Sequence, residues 1–457
     1  MAKRLQHSPE TSRINQLSDD VLHLILSFLT TTMAEIARTS ILSRRWRYVW
    51  HNIDCLDFDA STVLPIERLD NSHAWYIESV NKVIDARIAR PGLPLVKDLR
   101  IRYKLDASQG CHIDRWINFA IANRVETLHL EFSPYLGLVA RNRQYILSED
   151  IWRRAPSGLS NIKCLKSLIL SCVNVNKQFI EFVLSSCPLL EDLSMYFSGT
   201  YSDLDVSGVP PLRLKRLKID AVRVTESALT KLCAPYLTYF YYRSSQFHPQ
   251  KIDVPMLTDL TVGGAHGPLR IMNYLEPFWS YLPQLEKLYL MMDEHQKLKL
   301  RKLPELVKLK YLKMCFDWDT DPIFHRIVRF INACPALETF AFGILDGDKI
   351  SSRSLSIQQQ GGIQTRQQRK VKGVRSFKCL KVLEVYSGDG KTIDQEAVEC
   401  IISKSPNLEK LIIDTRDSCR YPFTMPSKPE IVQAVEAKAK ELCRLMSPSK
   451  IEITIIG

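Results

Sequence analysis

The stretch with the most overt chemical promise is Gly388-Asp389-Gly390-Lys391-Thr392. It follows a predicted strand and precedes a predicted helix from Asp394, the place where glycine-rich backbone cradles a phosphate. The spacing fails, because such a loop needs glycine at position 385 and Val385 stands there, in an apolar strand position. These glycines read as a tight turn, as do Gly263, Gly264 and Gly267. The ten histidines include no His-Glu-x-x-His and no other i, i+4 pair for a metal, and no serine lies in a Gly-x-Ser-x-Gly elbow. Twelve cysteines are scattered singly, without the Cys-x-x-Cys spacing that a zinc site or a redox dithiol requires. Carboxylate pairs such as Glu191/Asp192 sit beside strand positions, where a solvated face is the expectation. The chain is therefore expected to be no enzyme, with no catalytic residue, no metal and no cofactor.

What the residues do specify is a period. Apolar residues spaced as L-x-x-L-x-L recur at Leu165/Leu168/Leu170, Leu190/Leu193/Met195, Leu214/Leu217/Ile219, Leu257/Leu260/Val262, Leu285/Leu288/Leu290, Leu309/Leu312/Met314, Leu380/Leu383/Val385 and Leu408/Leu411/Ile413. Val125/Leu128/Leu130, Leu237/Phe240/Tyr242 and Leu337/Phe340/Phe342 keep the spacing with substitutions, and Val96/Leu99/Ile101 is a divergent copy at the start. Anchors about 20 to 29 residues apart suit one short strand plus one helix per unit, and such a unit closes its core only by stacking on its neighbours. The expectation is a parallel sheet on one face, with helices packed behind it. Cys187-Pro188, Cys233-Ala234-Pro235, Cys334-Pro335 and Ser405-Pro406 open several copies. There proline stops the preceding helix, and a small side chain sits inside the turn. The pattern resembles the leucine-rich-repeat horseshoe.

Composition narrows the class. With 45% hydrophobic and 25% charged residues the chain reads as folded and globular. It has no glycosylation acceptor, no signal-peptide pattern and no long apolar run, so a cytosolic or nuclear location away from membranes is expected. Net charge is +12, yet residues 349–378 hold eight Lys or Arg and no Asp or Glu, so no basic nucleic-acid face is needed to explain the balance. Around Gln358-Gln359-Gln360-Gly361-Gly362 this segment, about 349–376, reads as a basic, Gln-rich loop inserted between two repeats.

Residues 13–60 follow a helical period instead. Ser18, Asp19 and Asp20 suit a helix start, and Val21, Leu22, Ile25, Leu26 and Leu29 return at three- and four-residue spacing. A second helical run begins near Ala34. The sequence Leu17-x-Asp19-x-Val21-Leu22-x-x-Ile25-Leu26-Ser27-Phe28-Leu29, then Arg38-Thr39-Ser40-x-Leu42-Ser43-x-Arg45-Trp46-Arg47-x-x-Trp50, then Leu56-Asp57-Phe58, resembles the F-box of plant F-box/leucine-rich-repeat proteins. Ser18 and Thr30 stand where that family usually has proline. Less specifically, Cys379-Leu380-Lys381-Val382-Leu383-Glu384-Val385 and Ser405-Pro406-Asn407-Leu408-Glu409-Lys410-Leu411 resemble the FBD segment that ends many such proteins. Pro429 suits the start of a capping helix to about Met446, and Lys450 to Ile456 alternates as a last strand would.

The expected organisation is α/β. A flexible N-terminus (1–12) precedes a three-helix F-box (13–60), then a leucine-rich-repeat solenoid (61–375) whose parallel sheet forms the concave face, then FBD-like repeats and a cap (377–457). The resemblance implies that the F-box docks a Skp-type adaptor, and through it a cullin, while the repeats hold a protein substrate for ubiquitination. It assigns docking to Leu17, Ile25, Leu26, Leu29, Leu42, Ser43, Trp46 and Trp50. Strand alternation separately places the spacer between the second and third anchors on the open face. Those spacers include Ile169, Lys218, Tyr241, Tyr289 and Lys313, the expected substrate contacts, alongside Ser194, Thr261, Ala341, Glu384 and Ile412. A repeat scaffold without ligase function and a small-molecule-sensing F-box receptor are the alternative readings.

Overall fold

The computed structural model describes residues 16–18, 21–22, 25, 45–49, 53–60, 72–90, 92–132, 141–154, 160–199, 203–208, 210–221, 229–244, 247–264, 271–292, 303–317, 323–345, 375–387, 395–415, 432–433 and 451–456. Two compact units result: Met1–Thr200 with Gly208–Leu214, and Tyr201–Ser207 with Lys215–Gly457.

In the first unit five parallel strands run in chain order: β1 (Cys55–Asp59), β2 (Asp98–Arg102), β3 (Thr127–Glu131), β4 (Ser167–Ser171) and β5 (Asp192–Tyr196). Helices connect them, among them α1 (His73–Ile88), α2 (Gly110–Ala122), α3 (Glu149–Arg153) and α4 (Lys177–Ser186). Leu56-Asp57-Phe58, which ends the F-box-like stretch, lies in β1 and pairs in register with β2. Upstream of it, Trp46–Val49 forms a single helical turn in which Trp46 and Val49 are buried.

In the second unit nine parallel strands form the main sheet. These are β7 (Arg216–Ala221), β9 (Tyr239–Ser244), β11 (Asp259–Gly263), β12 (Lys287–Met292), β13 (Tyr311–Asp317), β14 (Thr339–Leu345), β15 (Val382–Ser387), β16 (Lys410–Asp414) and β17 (Glu452–Ile456). The last of them is the strand expected from the alternation of Lys450 to Ile456. The short strands β6 (Leu204–Val206), β8 (Leu229–Cys233) and β10 (Lys251–Asp253) make a second parallel sheet. That corrects the expectation of a helix in every repeat. Between Leu217, Phe240 and Leu260 the anchors follow at the short end of the repeat range, which leaves room for three to five extended residues between two turns. Leu204 and Val206 alternate as a buried strand face requires, and their partners Leu229 and Leu232 are buried three residues apart because the register shifts between them. Phe240, Phe247, Tyr274 and Phe278 pack together in the core beside them. Helical structure returns with the short helix Ile271–Leu275 after β11, and longer helices follow at α5 (Ile323–Asn332) and α6 (Gln395–Lys404).

Every copy of the repeated pattern, the divergent one at Val96 included, is a strand of a main sheet, and its three anchors are at most 7% exposed. Each buried leucine contributes about 1.5–3 kcal/mol of apolar transfer. The first anchor enters through a turn: Leu165, Leu190, Leu237, Leu257, Leu285, Leu309, Leu337, Leu380 and Leu408 each donate their N–H to the carbonyl three residues back. The small residue before the proline lies inside that turn, as expected. Cys187 and Cys334 are buried, and burial raises both thiols, that of Cys187 to about 12. The hydroxyl of Ser405 donates to the carbonyl of Ile401 at 2.6 Å. Helix α4 ends at Ser186, α5 at Asn332 and α6 at Lys404, each just before such a Cys-Pro or Ser-Pro pair. Ala234-Pro235 instead follows strand β8.

Register is reinforced along one edge by alternating charge. The residue before each strand donates its N–H to the equivalent carbonyl of the preceding repeat, from Glu126 to Lys97 and on through Lys166 and Glu191, and again along Glu286, Lys310, Glu338, Lys381 and Glu409. Opposite charges therefore meet on adjacent strands: Lys97 Nζ lies 2.8 Å from Asp54, and Lys166 Nζ lies 2.7 Å from Glu126. A one-repeat slip would oppose like charges.

The F-box helices, the basic loop and the capping helix fall mainly outside the described residues. So do Leu26, Leu29, Leu42, Ser43 and Trp50. Of the docking residues that are described, Leu17 and Ile25 are half-buried and Trp46 is buried.

Candidate partner-binding face

In a main-sheet strand the residues between core anchors face away from the core, so parallel pairing lines them up in rows. In the second unit one row runs Lys218, Tyr241, Thr261, Tyr289, Lys313, Ala341, Glu384, Ile412 and Thr454, each the register partner of the next. Sequence alternation named most of this row. It did not foresee how far the row is covered: Thr261, Lys313 and Ala341 are buried, and Ile412 is half-buried rather than exposed. Strands in a sheet lie about 4.8 Å apart, so a tyrosine or lysine reaches over a smaller residue on the next strand.

Two clusters result in this unit. Tyr241 donates its hydroxyl to Asp220 Oδ2 at 2.8 Å, and Asp220 is buried with Arg243 Nη1 4.0 Å from the same oxygen. Lys218 Nζ sits 5.3 Å from the centre of the Tyr239 ring. Three strands further on, Tyr289 and Tyr311 stack with ring centres 5.1 Å apart. Tyr311 and Tyr386 both donate to Glu384 Oε2, at 3.0 and 2.8 Å, and Lys313 Nζ lies 3.7 Å from the centre of the Tyr386 ring. Burial pushes the phenol of Tyr289 up to about 12, and burial with the neighbouring Tyr386 and Glu384 raises that of Tyr311 further. The structure thus brings Tyr289 and Lys313 together, and Lys218 and Tyr241 together in the other cluster. Tyr239, Tyr311, Tyr386, Asp220 and Arg243 were missed, although they stand two residues along the same strands and the same alternation reaches them.

In the first unit the corresponding face is charged. Ile169 is half-buried between His129 and Ser194 in register. Arg102 lies 2.9 Å from Asp59 and 3.2 Å from Glu131, His129 lies 3.4 Å from Glu131, and Arg100 lies 3.4 Å from Asp57. Glu131 is fully buried. Desolvation raises the Asp57 carboxyl, and Arg100 opposes that shift. Asp192 departs from the solvated-face expectation. It is buried and accepts the Ser194 hydroxyl at 2.8 Å, because both side chains stand on the open face of β5.

Among the described residues no group of His, Cys, Asp and Glu is placed to hold a metal, and no helix is long and apolar enough to cross a membrane. Residues 94–451 match the family described as At1g61320/AtMIF1, LRR domain. The chain belongs to this leucine-rich-repeat family. Among its relatives in Arabidopsis thaliana, the putative F-box/LRR-repeat protein At5g02930 is 28% identical over 320 residues, 64% of this chain and 63% of that one. F-box/LRR-repeat protein At3g03360 is 30% identical over 262 residues, 54% of this chain and 50% of that protein. F-box/LRR-repeat protein 25 is 29% identical over 244 residues, 51% of this chain and 87% of the relative. The chain thus spans less than two thirds of the length of the first two relatives. In this member of the At1g61320/AtMIF1 family the open rows are the strand positions that alternate with the core anchors.

Proposed function

We propose that the chain is the substrate-recognition subunit of a cullin-RING ubiquitin ligase. Residues 13–60 dock a Skp-type adaptor, and the open face of the repeats holds the protein to be ubiquitinated. The observation that carries this reading is the join of an F-box-like sequence, densest from Arg38 to Trp50, to a long parallel repeat sheet whose relatives bear the name F-box/LRR-repeat protein. The chain itself performs no bond chemistry; it raises the effective concentration of a substrate lysine near a conjugating enzyme recruited elsewhere in the assembly. Action in the cytosol or nucleus follows from the same proposal.

Co-purification with the adaptor tests it. Leu26→Ala with Leu29→Ala is expected to weaken adaptor binding at unchanged melting temperature of the repeats. Absence of binding to any adaptor paralogue at micromolar concentration would favour a plain repeat scaffold. Tyr241→Ala with Tyr289→Ala is expected to reduce substrate capture with adaptor binding intact. Unchanged capture would move the substrate site off this face.

A further inference from the structure

Lys313 differs from two other lysines of the open face, Lys287 and Lys410. Lys287 has Asp259 at 3.3 Å and Lys410 has Glu452 at 3.4 Å. Lys313 is only 8% exposed, and among the described residues its ammonium meets no carboxylate within 4.0 Å and no hydrogen-bond acceptor. Its one charge-stabilising contact is the face of Tyr386. Such a contact is worth about 0.5–2 kcal/mol, and it leaves the three hydrogen-bond donors of the ammonium for a further ligand. The nearby carboxylate of Glu384 is turned to the hydroxyls of Tyr311 and Tyr386. Tyr386 reaches Lys313 from the strand beyond Gly343, its register partner, whose missing side chain leaves room for the Cβ and carbonyl of Tyr386.

We infer that Lys313 is the anchor for a carboxylate side chain, an aspartate or glutamate of the bound protein segment, with Tyr289 and Tyr386 as the walls of the subsite. This inference rests on the reading of the open face as the substrate face. A single ammonium is a point charge without the bidentate fork that suits phosphate, and Glu384 would repel a second negative charge more than the first. The occupant is therefore a carboxylate in preference to a phosphorylated residue.

The test is retention of degenerate peptides by the purified full chain, with the central residue fixed as Asp, Glu, Asn, Gln or phosphoserine. Asp and Glu peptides should be retained about tenfold over Asn and Gln, the scale of one charge-assisted hydrogen bond. Lys313→Met should abolish the preference and Lys313→Arg should keep it. Glu384→Gln provides a second reading, since removing the repelling charge should strengthen retention of Asp and Glu and admit phosphoserine. Equal retention of Asn and Gln, a preference that survives Lys313→Met, selectivity unmoved by Glu384→Gln, or phosphoserine favoured by the unaltered chain would each overturn the inference. Adaptor co-purification is scored in parallel. Acid selectivity without adaptor binding sinks the ligase reading alone, and adaptor binding without acid selectivity sinks the anchor alone.

Discussion

Gly343 and Tyr386 are register partners near the ends of β14 and β15, and a Cβ added to Gly343 would stand 2.6 Å from the Cβ of Tyr386 and 2.9 Å from its carbonyl oxygen. The backbone of one strand thus occupies the space that a side chain on the other would need. Gly263 and Met291 repeat the arrangement on β11 and β12.

Gly343→Ala is accordingly expected to destabilise the second unit by about 1–3 kcal/mol, the usual cost of overpacking. It should also displace Tyr386 from Lys313. Urea unfolding reads the first effect and peptide selectivity the second. An unchanged midpoint would show that the strand ends part at no cost.

Arg102 neutralises two buried carboxylates, Asp59 and Glu131, from the middle of three strands. Arg102→Met removes the guanidinium that both carboxylates share and should cost about 3–5 kcal/mol, as breaking a buried pair does. Adding Glu131→Met should recover part of that loss, so a double-mutant cycle shows strong coupling. Additive losses would mean that the ion pair contributes little.

Alkaline unfolding should report the tyrosine cluster. A phenol whose folded pKa is raised binds its proton more tightly in the native state, so its contribution to stability is complete below about pH 10, the unfolded value. For Tyr289 it is lost as pH rises through about 12. Stability should therefore fall between pH 10 and 12, and Tyr289→Phe should make that fall shallower. An unaltered pH profile in the variant would assign the loss to other groups.

Lys166→Glu places three acids in a row along the edge formed by Glu126, residue 166 and Glu191. A small drop in melting temperature is expected, and it should shrink at about 1 M salt, where the screening length is about 3 Å. A drop that persists in salt would point to packing of the lysine stem instead.

The repeat period was legible because it is written in side chains that share one environment. Leu168, Leu193, Leu288 and Leu411 each reach zero or near-zero exposure by the same geometry, so their spacing alone gave the strands, the parallel sheet and the face each residue takes. The same regularity gave Tyr241, Tyr289, Lys218 and Lys313 as open-face residues. It misread the connection around Leu229, because the spacing of anchors records where a unit returns and not whether the return path is helical or extended.

Sequence by itself determined which positions repeat, where turns fall and which side of the sheet each residue occupies, since strand alternation and anchor spacing are local properties of the chain. Tertiary structure alone decided which open-face residues meet. Tyr311 and Glu384 are separated by a long stretch of chain yet share a hydrogen bond, and Lys313 finds the ring of Tyr386 across β14. Those contacts depend on the order and register of parallel strands, and stacking fixes that register cooperatively across repeats; no single repeat encodes it.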